Sequence, residues 1–234
     1  MTHRLEEAQI MFHNDADIQR DLIAEMRWEP SLRDDDIGVA VRDGVVTLAG
    51  FVDSYADKWE AERVASQVKG VKAIANDLEV KIPSISQRTD PEVARTALDA
   101  LKWNISVPPD RIKVKVEKGW ITLEGTADWY FQKEAAERAV RYLTGVKGVS
   151  NLVMVKPVPA PSDVKQLIKD SLQRGAQFDA DRISVEISGN KSILKGTVRS
   201  YAEYRDAERA ARNAAGITEV ENKLTVDPTV YAPV

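Results

Sequence analysis

Val45-Val46-Thr47-Leu48-Ala49-Gly50, followed at once by Phe51-Val52-Asp53-Ser54-Tyr55, is the stretch on which the reading of this chain turns. It is a β-type run that ends on a glycine and passes within a few residues into a helix start. Trp120-Ile121-Thr122-Leu123-Glu124-Gly125, leading into Tyr130, repeats it 75 residues on. Ser192-Ile193-Leu194-Lys195-Gly196, leading into Tyr201, repeats it 146 residues on. These offsets hold along the surrounding sequence, so the 234 residues divide into three copies. Each copy is roughly 65 residues, enough to close a core alone, whereas solenoid repeats are shorter and cannot.

Outward from that stretch, each copy spells the same elements. In the first, Asn14-Asp15-Ala16-Asp17 supplies cap-type residues, and Ile18, Leu22, Ile23 and Met26 follow at helical spacing. Ile37, Val39 and Val41 alternate as in a half-buried strand, and Asp43-Gly44 is a two-residue hairpin signal. After Gly50, Ser54 and Asp57 form a capping pair for a second helix with an inner stripe of Ala61, Val64, Ala65 and Val68. Gly70 closes that helix, and Ile74, Asn76, Leu78 and Val80 make a third strand.

The second copy begins at Asp90-Pro91, read as an N-cap with proline at the first helical position. Its third strand is expected through Val149, Asn151, Val153 and Val155. In the third copy the turn is Gly189-Asn190, with asparagine at the glycine position, where it tolerates positive φ. Ser200 and Glu203 form its capping box, and Ala207, Ala210, Ala211 and Ala214 its stripe. The small residues of this stripe let the second helix approach the sheet closely.

The expectation is an α+β protein of three tandem α-β-β-α-β domains, each a three-stranded mixed sheet with two helices packed on one face. The β-α-β part gives a right-handed crossover with parallel strands, and the hairpin is antiparallel. Domains are placed at 14–82, 90–156 and 162–228, with an arm at 1–13 and a tail at 229–234. The linkers are a polar one at 83–89 and a proline-rich, extended one at 157–161.

Composition narrows the function classes. There are no cysteines, which excludes disulfides, thiolate catalysis and Cys-based metal sites. No apolar run approaches the ~20 residues of a membrane span. The first ten residues lack the apolar core of a secretory signal, so the expected location is cytoplasmic, with access to the inner membrane surface. The net charge of −4 is unevenly spread. Residues 15–82 carry 9 basic and 15 acidic side chains, residues 90–157 carry 11 and 9, and residues 162–227 carry 11 of each. Only the middle copy leans basic, and no strongly basic face for nucleic acid is expected.

The pattern resembles the BON family (bacterial OsmY and nodulation) over nearly the whole chain after residue 14. The features that carry it are the element order, the strand-end glycines Gly50, Gly125 and Gly196, and a recurring Ala-Glu-Arg. That tripeptide stands at 61–63, 136–138 and 207–209, with the strand asparagines Asn76, Asn151 and Asn222 alongside. The resemblance implies non-enzymatic interaction modules that bind phospholipid surfaces and are linked to osmotic or envelope stress. Many members are exported, and the absence of a signal here departs from them.

Candidate residues are weighed against that frame. Gly50, Gly125 and Gly196 read as steric requirements where a strand must turn toward a close-packed helix. The recurrence of the Glu-Arg pairs in every copy argues for fold geometry. The only two histidines, His3 and His13, lie in the arm, too few for a zinc site and outside any folded cleft. Asp34-Asp35-Asp36 lacks the spacing of a calcium loop, and there is no Walker loop or G-x-G-x-x-G. No catalytic residue, cofactor or metal is therefore expected.

The anomaly lies in the second copy. Arg111, Lys113 and Lys115 alternate with core residues, Lys118 marks the turn, and Trp129-Tyr130-Phe131 begins the second helix, with Trp129 where the others have serine. Cations beside Trp and Tyr suit an anionic lipid headgroup layer. The competing reading has Trp129 packed on a neighbouring unit and the lysines as solubilising charges. Peripheral lipid association is thus the expected function. A protein–protein adaptor or self-associating scaffold stands as the alternative, and ion or small-solute binding between domains as a third.

Overall fold

The computed structural model describes residues 14–32, 36–157, 162–174 and 182–227. The 1–13 arm with both histidines, Asp34 and Asp35, the linker from residue 158 to Pro161, and the 229–234 tail lie outside the described residues. In unit one, α1 (Asp15–Trp28), β1 (Ile37–Arg42), β2 (Val45–Val52), α2 (Tyr55–Gln67) and β3 (Ala73–Val80) follow in the expected order. Unit two has α3 (Asp90–Trp103), β4 (Ile112–Glu117), β5 (Trp120–Ala127), α4 (Tyr130–Arg141), β6 (Gly148–Asn151) and β7 (Met154–Val155). Unit three has α5 (Val164–Arg174), β8 (Ile183–Ser188), β9 (Lys191–Val198), α6 (Tyr201–Arg212) and β10 (Glu219–Val226).

In every unit the quoted stretch is the central strand. β2 pairs antiparallel with β1 and parallel with β3, and β5 and β9 do the same with their neighbours. Both helices cover one sheet face. Ile18, Leu22, Met26, Val46, Leu48, Ala61, Val64, Ala65 and Leu78 are buried there, while Ile37, Val39 and Val41 close its rim. Ile23 of the expected α1 stripe is only partly covered. Unit two's third strand is interrupted rather than continuous, as β6 and β7, both parallel to β5.

Two local expectations are corrected. Thr89, not Asp90, caps α3: its N–H and hydroxyl both donate to the Glu92 carboxylate, at 2.8 and 2.7 Å. Asp90 is instead occupied by the hairpin, accepting from Lys118 N and Gly119 N at 2.8 Å each, as Asp15 accepts from Asp43 N and Gly44 N in unit one. The third hairpin is the other correction. Asp43 and Gly44, like Lys118 and Gly119, both take positive φ, whereas at 189–190 only Gly189 does, at +58°. Asn190 therefore needs no left-handed conformation; its side-chain amide donates to Gly216 O. Positive φ at the first central residue alone is the pattern of a II′ turn, against I′ in the other units.

The Ala-Glu-Arg and asparagine signatures meet across the helix–sheet contact. Asn76 Nδ2 donates to Lys58 O and to Glu62 Oε2 at 3.2 Å each. Asn151 Nδ2 does the same to Lys133 O at 2.8 Å and Glu137 Oε2 at 3.3 Å. Their recurrence is thus explained by the fold: each asparagine ties the third strand to the second helix.

The units also dock on one another, and the same patches are used each time. Tyr55, in the first turn of α2, packs on unit two's core, where Arg141 lies 4.1 Å over the Trp59 ring. Tyr130, at the same place on α4, lies under Arg212 of unit three at 5.4 Å. Tyr201, at the same place on α6, packs on unit one's core, with Arg205 3.4 Å from Glu62. Tyr55 and Tyr201 each pack on the core of the next unit, Tyr130 meets the next unit through Arg212, and the third unit returns to the first. This is a head-to-tail interface that closes into a pseudo-threefold ring.

One junction carries a pH dependence. Burial holds the Glu134 carboxyl above its usual range, although Arg209 of unit three and Arg138 oppose the shift. The folded protein therefore binds this proton more tightly than the unfolded chain, and stability falls as pH rises from the unfolded to the folded pKa. Glu134→Gln is expected to flatten that fall and raise the melting temperature at neutral pH, as read by melts across pH 4–8 (a range of roughly the carboxylate and histidine pKa values). Identical profiles for variant and wild type would show that Glu134 ionises freely.

Candidate interaction surface on unit two

On β4, Ile112 points into the core, Val114 and Val116 pack against it, and Lys113 and Lys115 point out, as their alternation predicts. Lys115 is 3.3 Å from Glu117, both well exposed, while Lys113 has no ion-pair partner among the described residues. Beside them lies Trp120 on the same outward face, opposite Glu117. Its Nε1–H donates to Ser150 Oγ at 2.9 Å, and its ring covers Gly148, where an added Cβ would come within 2.4 Å of it. A glycine under an aromatic on the neighbouring strand makes a flat platform. The sequence reading missed Trp120 as a surface residue. The signal available was that unit two pairs Trp with Gly where unit one has Val45 and Ala73 and unit three an ion pair, Lys191–Glu219 at 2.9 Å.

The remaining candidates are spread over the unit. Arg111 Nη1 donates to Asp128 at 2.6 Å, and Lys156 stands 3.5 Å from the same carboxylate. The Arg111 hydrogen bond holds the Asp128 carboxyl below its ordinary range. Trp129 is the N-cap residue of α4 and 42% exposed; Gln132 accepts from Asp128 N at 2.9 Å and Trp129 N at 3.1 Å, while its own N–H, which a capping serine would take, goes to Trp129 O at 3.2 Å. Tyr130 is half-buried beneath Arg212 and is engaged at the ring junction. Lys118 sits at the β4–β5 turn, while Trp129 follows the far end of β5. Eight strand residues separate these ends, about 25 Å. The structure thus brings Lys113 and Lys115 together with Trp120, and Arg111 with Trp129, but keeps Lys118 and Trp129 apart.

At the Trp129 end a second feature gathers. Ile112 pairs with Gly125 and Thr126 with Met154, so the start of β4, the end of β5 and β7 meet there, where α3 ends and α4 begins. Trp103 is 83% exposed and Ile105 fully so; Phe131 and Met154 are exposed at the same end. Unit one repeats only the first of these, with Trp28 85% exposed at the end of α1. Neither tryptophan drew notice in the sequence, because each ends its helix one place off the buried stripe.

Between units one and two lies a cleft of about 450 Å³ lined by residues that include Asp53, Ser54, Ile85 and Arg141. Among the described residues no His, Cys, Asp or Glu cluster could hold a metal ion, and no helix is long and apolar enough to cross a membrane.

The chain is 32% identical over 149 residues to Osmotically-inducible protein Y of Escherichia coli strain K12, covering 62% of this chain and 74% of that one. Among solved structures it matches CdsD, a structural protein of the type III secretion system of Chlamydia trachomatis, over 93% of this chain and all of that one. That match is 17% identical with a TM-score of 0.26, and a second, to the C-terminal domain of CdsD, is 16% identical with a TM-score of 0.25. Likenesses this slight bear no weight. The BON domain family model matches three times, at residues 14–82, 89–157 and 162–228, and with it the shared tripeptides, asparagines and glycines find their common origin: the chain belongs to the BON family, as a tandem of three BON domains.

Proposed function

We propose that this protein is a non-enzymatic binding protein that associates peripherally with anionic phospholipid surfaces through unit two. The observation that carries the reading is the exposed apolar end of that unit, Trp103, Ile105, Phe131 and Met154, beside Arg111 and the Lys113/Lys115 face. Large apolar side chains grouped at one end of a domain mark an interaction site, and indoles beside cations suit the headgroup layer. The name of the Escherichia coli relative supports a link to osmotic stress. Arg111, Lys113, Lys115, Lys118 and Trp129 remain the proposed surface set, with Trp103, Ile105 and Trp120 added, whereas Tyr130 is taken up by the junction with unit three.

Cosedimentation with vesicles tests it. The protein is expected to bind anionic vesicles, ignore neutral ones and release as salt screens the attraction. Lys113→Glu with Lys115→Glu should weaken binding on the order of 30-fold, from ~1 kcal/mol for each cation lost. Trp103→Ser with Ile105→Ser should weaken it at every salt concentration, because the apolar share is not screened. Equal sedimentation of wild type and both double variants would overturn the reading.

The adaptor or scaffold reading has its own observation. Unit one's outward face carries small side chains at its centre, Gly38, Ala40, Val45, Thr47, Ala49 and Ala75, with Arg42, Asp77 and Glu79 toward its margins. A partner protein captured on that face, with no lipid dependence, would favour it. The cleft between units one and two is the place a small solute would occupy.

A further inference from the structure

Residues at the same repeat position hold the same place in each unit, so the three outward sheet faces can be compared side chain by side chain. At four central positions unit two has Lys113, Lys115, Glu124 and Ser150, and unit three has Ser184, Glu186, Lys195 and Glu221. Unit one has Gly38, Ala40, Ala49 and Ala75 there, all exposed. Yet this is the acid-rich unit, and of its 15 carboxylates only Asp77 and Glu79 stand on its strands. An open sheet face ordinarily turns polar residues outward. This one is cleared of both charge and bulk at its centre.

We propose that unit one's outward sheet face docks on the same face of a second copy of this chain, forming a reversible two-fold dimer. Size is the first argument. Glycine and alanine at the centre let two sheets approach to the ~10 Å of face-to-face packing. Val45 and Phe51, 39% and 40% exposed at opposite ends of β2, are then covered.

Charge is the second argument, and it selects a second copy over another partner. Arg42 on β1 lies level with Val45, and Glu79 on β3 lies level with Phe51, with Asp77 one outward position before it. The cation and the carboxylates thus stand at opposite corners, about 20 Å apart along the strands. A two-fold axis between the faces exchanges opposite corners, so Arg42 of each copy meets the carboxylates of the other. That self-complementarity is what an isologous contact needs. Arg42 is free to turn, because its pair with Asp43 is 3.9 Å long and the two side chains are 94% and 91% exposed. Lys81, just past β3, is held over the Phe51 ring at 3.0 Å. Three strands of eight residues cover roughly 14 by 26 Å, which is small for a permanent dimer, so the association is weak and reversible. This dimer goes beyond the lipid reading, which concerns unit two, and gives the scaffold reading its partner.

Sedimentation equilibrium of the full chain, with no vesicles present, tests it. The mass should rise from monomer toward dimer as concentration increases. Ala40→Lys with Ala49→Lys should keep the chain monomeric. The fold accepts lysine at both places, since unit two has Lys115 and unit three Lys195 there. Arg42→Glu alone, or Asp77→Lys with Glu79→Lys, should weaken the dimer about tenfold, because both symmetric corner contacts then set like charges together. An equimolar mixture of those two variants should associate like wild type, because every corner again meets its opposite. A wild-type chain that stays monomeric would overturn the proposal, as would a dimer that survives the two lysines. So would a mixture that associates no better than its components. None of these outcomes involves lipid, so each leaves the lipid reading where it stands.

Discussion

Replacing Gly125 with valine is expected to cost unit two roughly 2–5 kcal/mol, from backbone strain and overpacking together. Gly125 sits at φ +133°, and a Cβ there would lie 2.0 Å from the Arg111 carbonyl oxygen. That oxygen cannot retreat, because it accepts from Thr126 N at 3.4 Å and begins the strand beside β5. Gly50 and Gly196 share the geometry, with a Cβ 2.0 Å from Asp36 O and 1.9 Å from Arg182 O. The contrast is Gly189, at φ +58° with open space around its Cβ position, where asparagine should be nearly silent. Denaturant melts of both variants decide the matter, and a Gly125→Val protein as stable as wild type would overturn the steric requirement.

Asn151→Leu is expected to be damaging as well, roughly 1–3 kcal/mol, because it strands half-buried partners instead of removing a pair cleanly. The lost amide leaves Lys133 O on α4 and Glu137 Oε2 without their donor, and the lost carbonyl leaves Val153 N at 3.3 Å without its acceptor. Asn151→Asp keeps the shape and the acceptor, yet it sets a second carboxylate against Glu137. It should cost at least as much at neutral pH, as read by denaturant melts. A leucine variant that melts with wild type would reduce the asparagine to a spacer.

The two variants act at positions the sequence already exposed, and the reason is local. A buried helix stripe, an alternating strand and a glycine that must turn are set by neighbours within a few residues. Leu48, Leu123 and Leu194 are accordingly all fully buried, and the α-β-β-α-β order is observed in each unit. Recurrence at fixed offsets made these signals legible three times over. Local competition still misled at Asp90, where two acceptor-rich residues stood side by side at the helix start and the hairpin claimed one of them.

The surface was legible only in part. Lys113 and Lys115 followed from strand alternation. Trp120 could be placed only once Gly148 was known to lie beneath it, 28 residues further on. Trp103 and Ile105 joined Trp129 only because the antiparallel pairing of β4 and β5 carries the end of α3 to the start of α4.

The ring belonged wholly to tertiary structure. Tyr55, Tyr130 and Tyr201 read in the sequence as first residues of helices, which they are. Nothing in their spacing says that each meets the next unit, since what they meet, Glu137 with Arg141 for Tyr55, Glu208 with Arg212 for Tyr130, and unit one's core for Tyr201, lies tens of residues away. Sequence periodicity decides which face of an element is buried within its own unit, because that face is fixed by covalent neighbours. Which of the remaining faces meet is decided by shape and charge between distant residues, and only the folded chain brings those together.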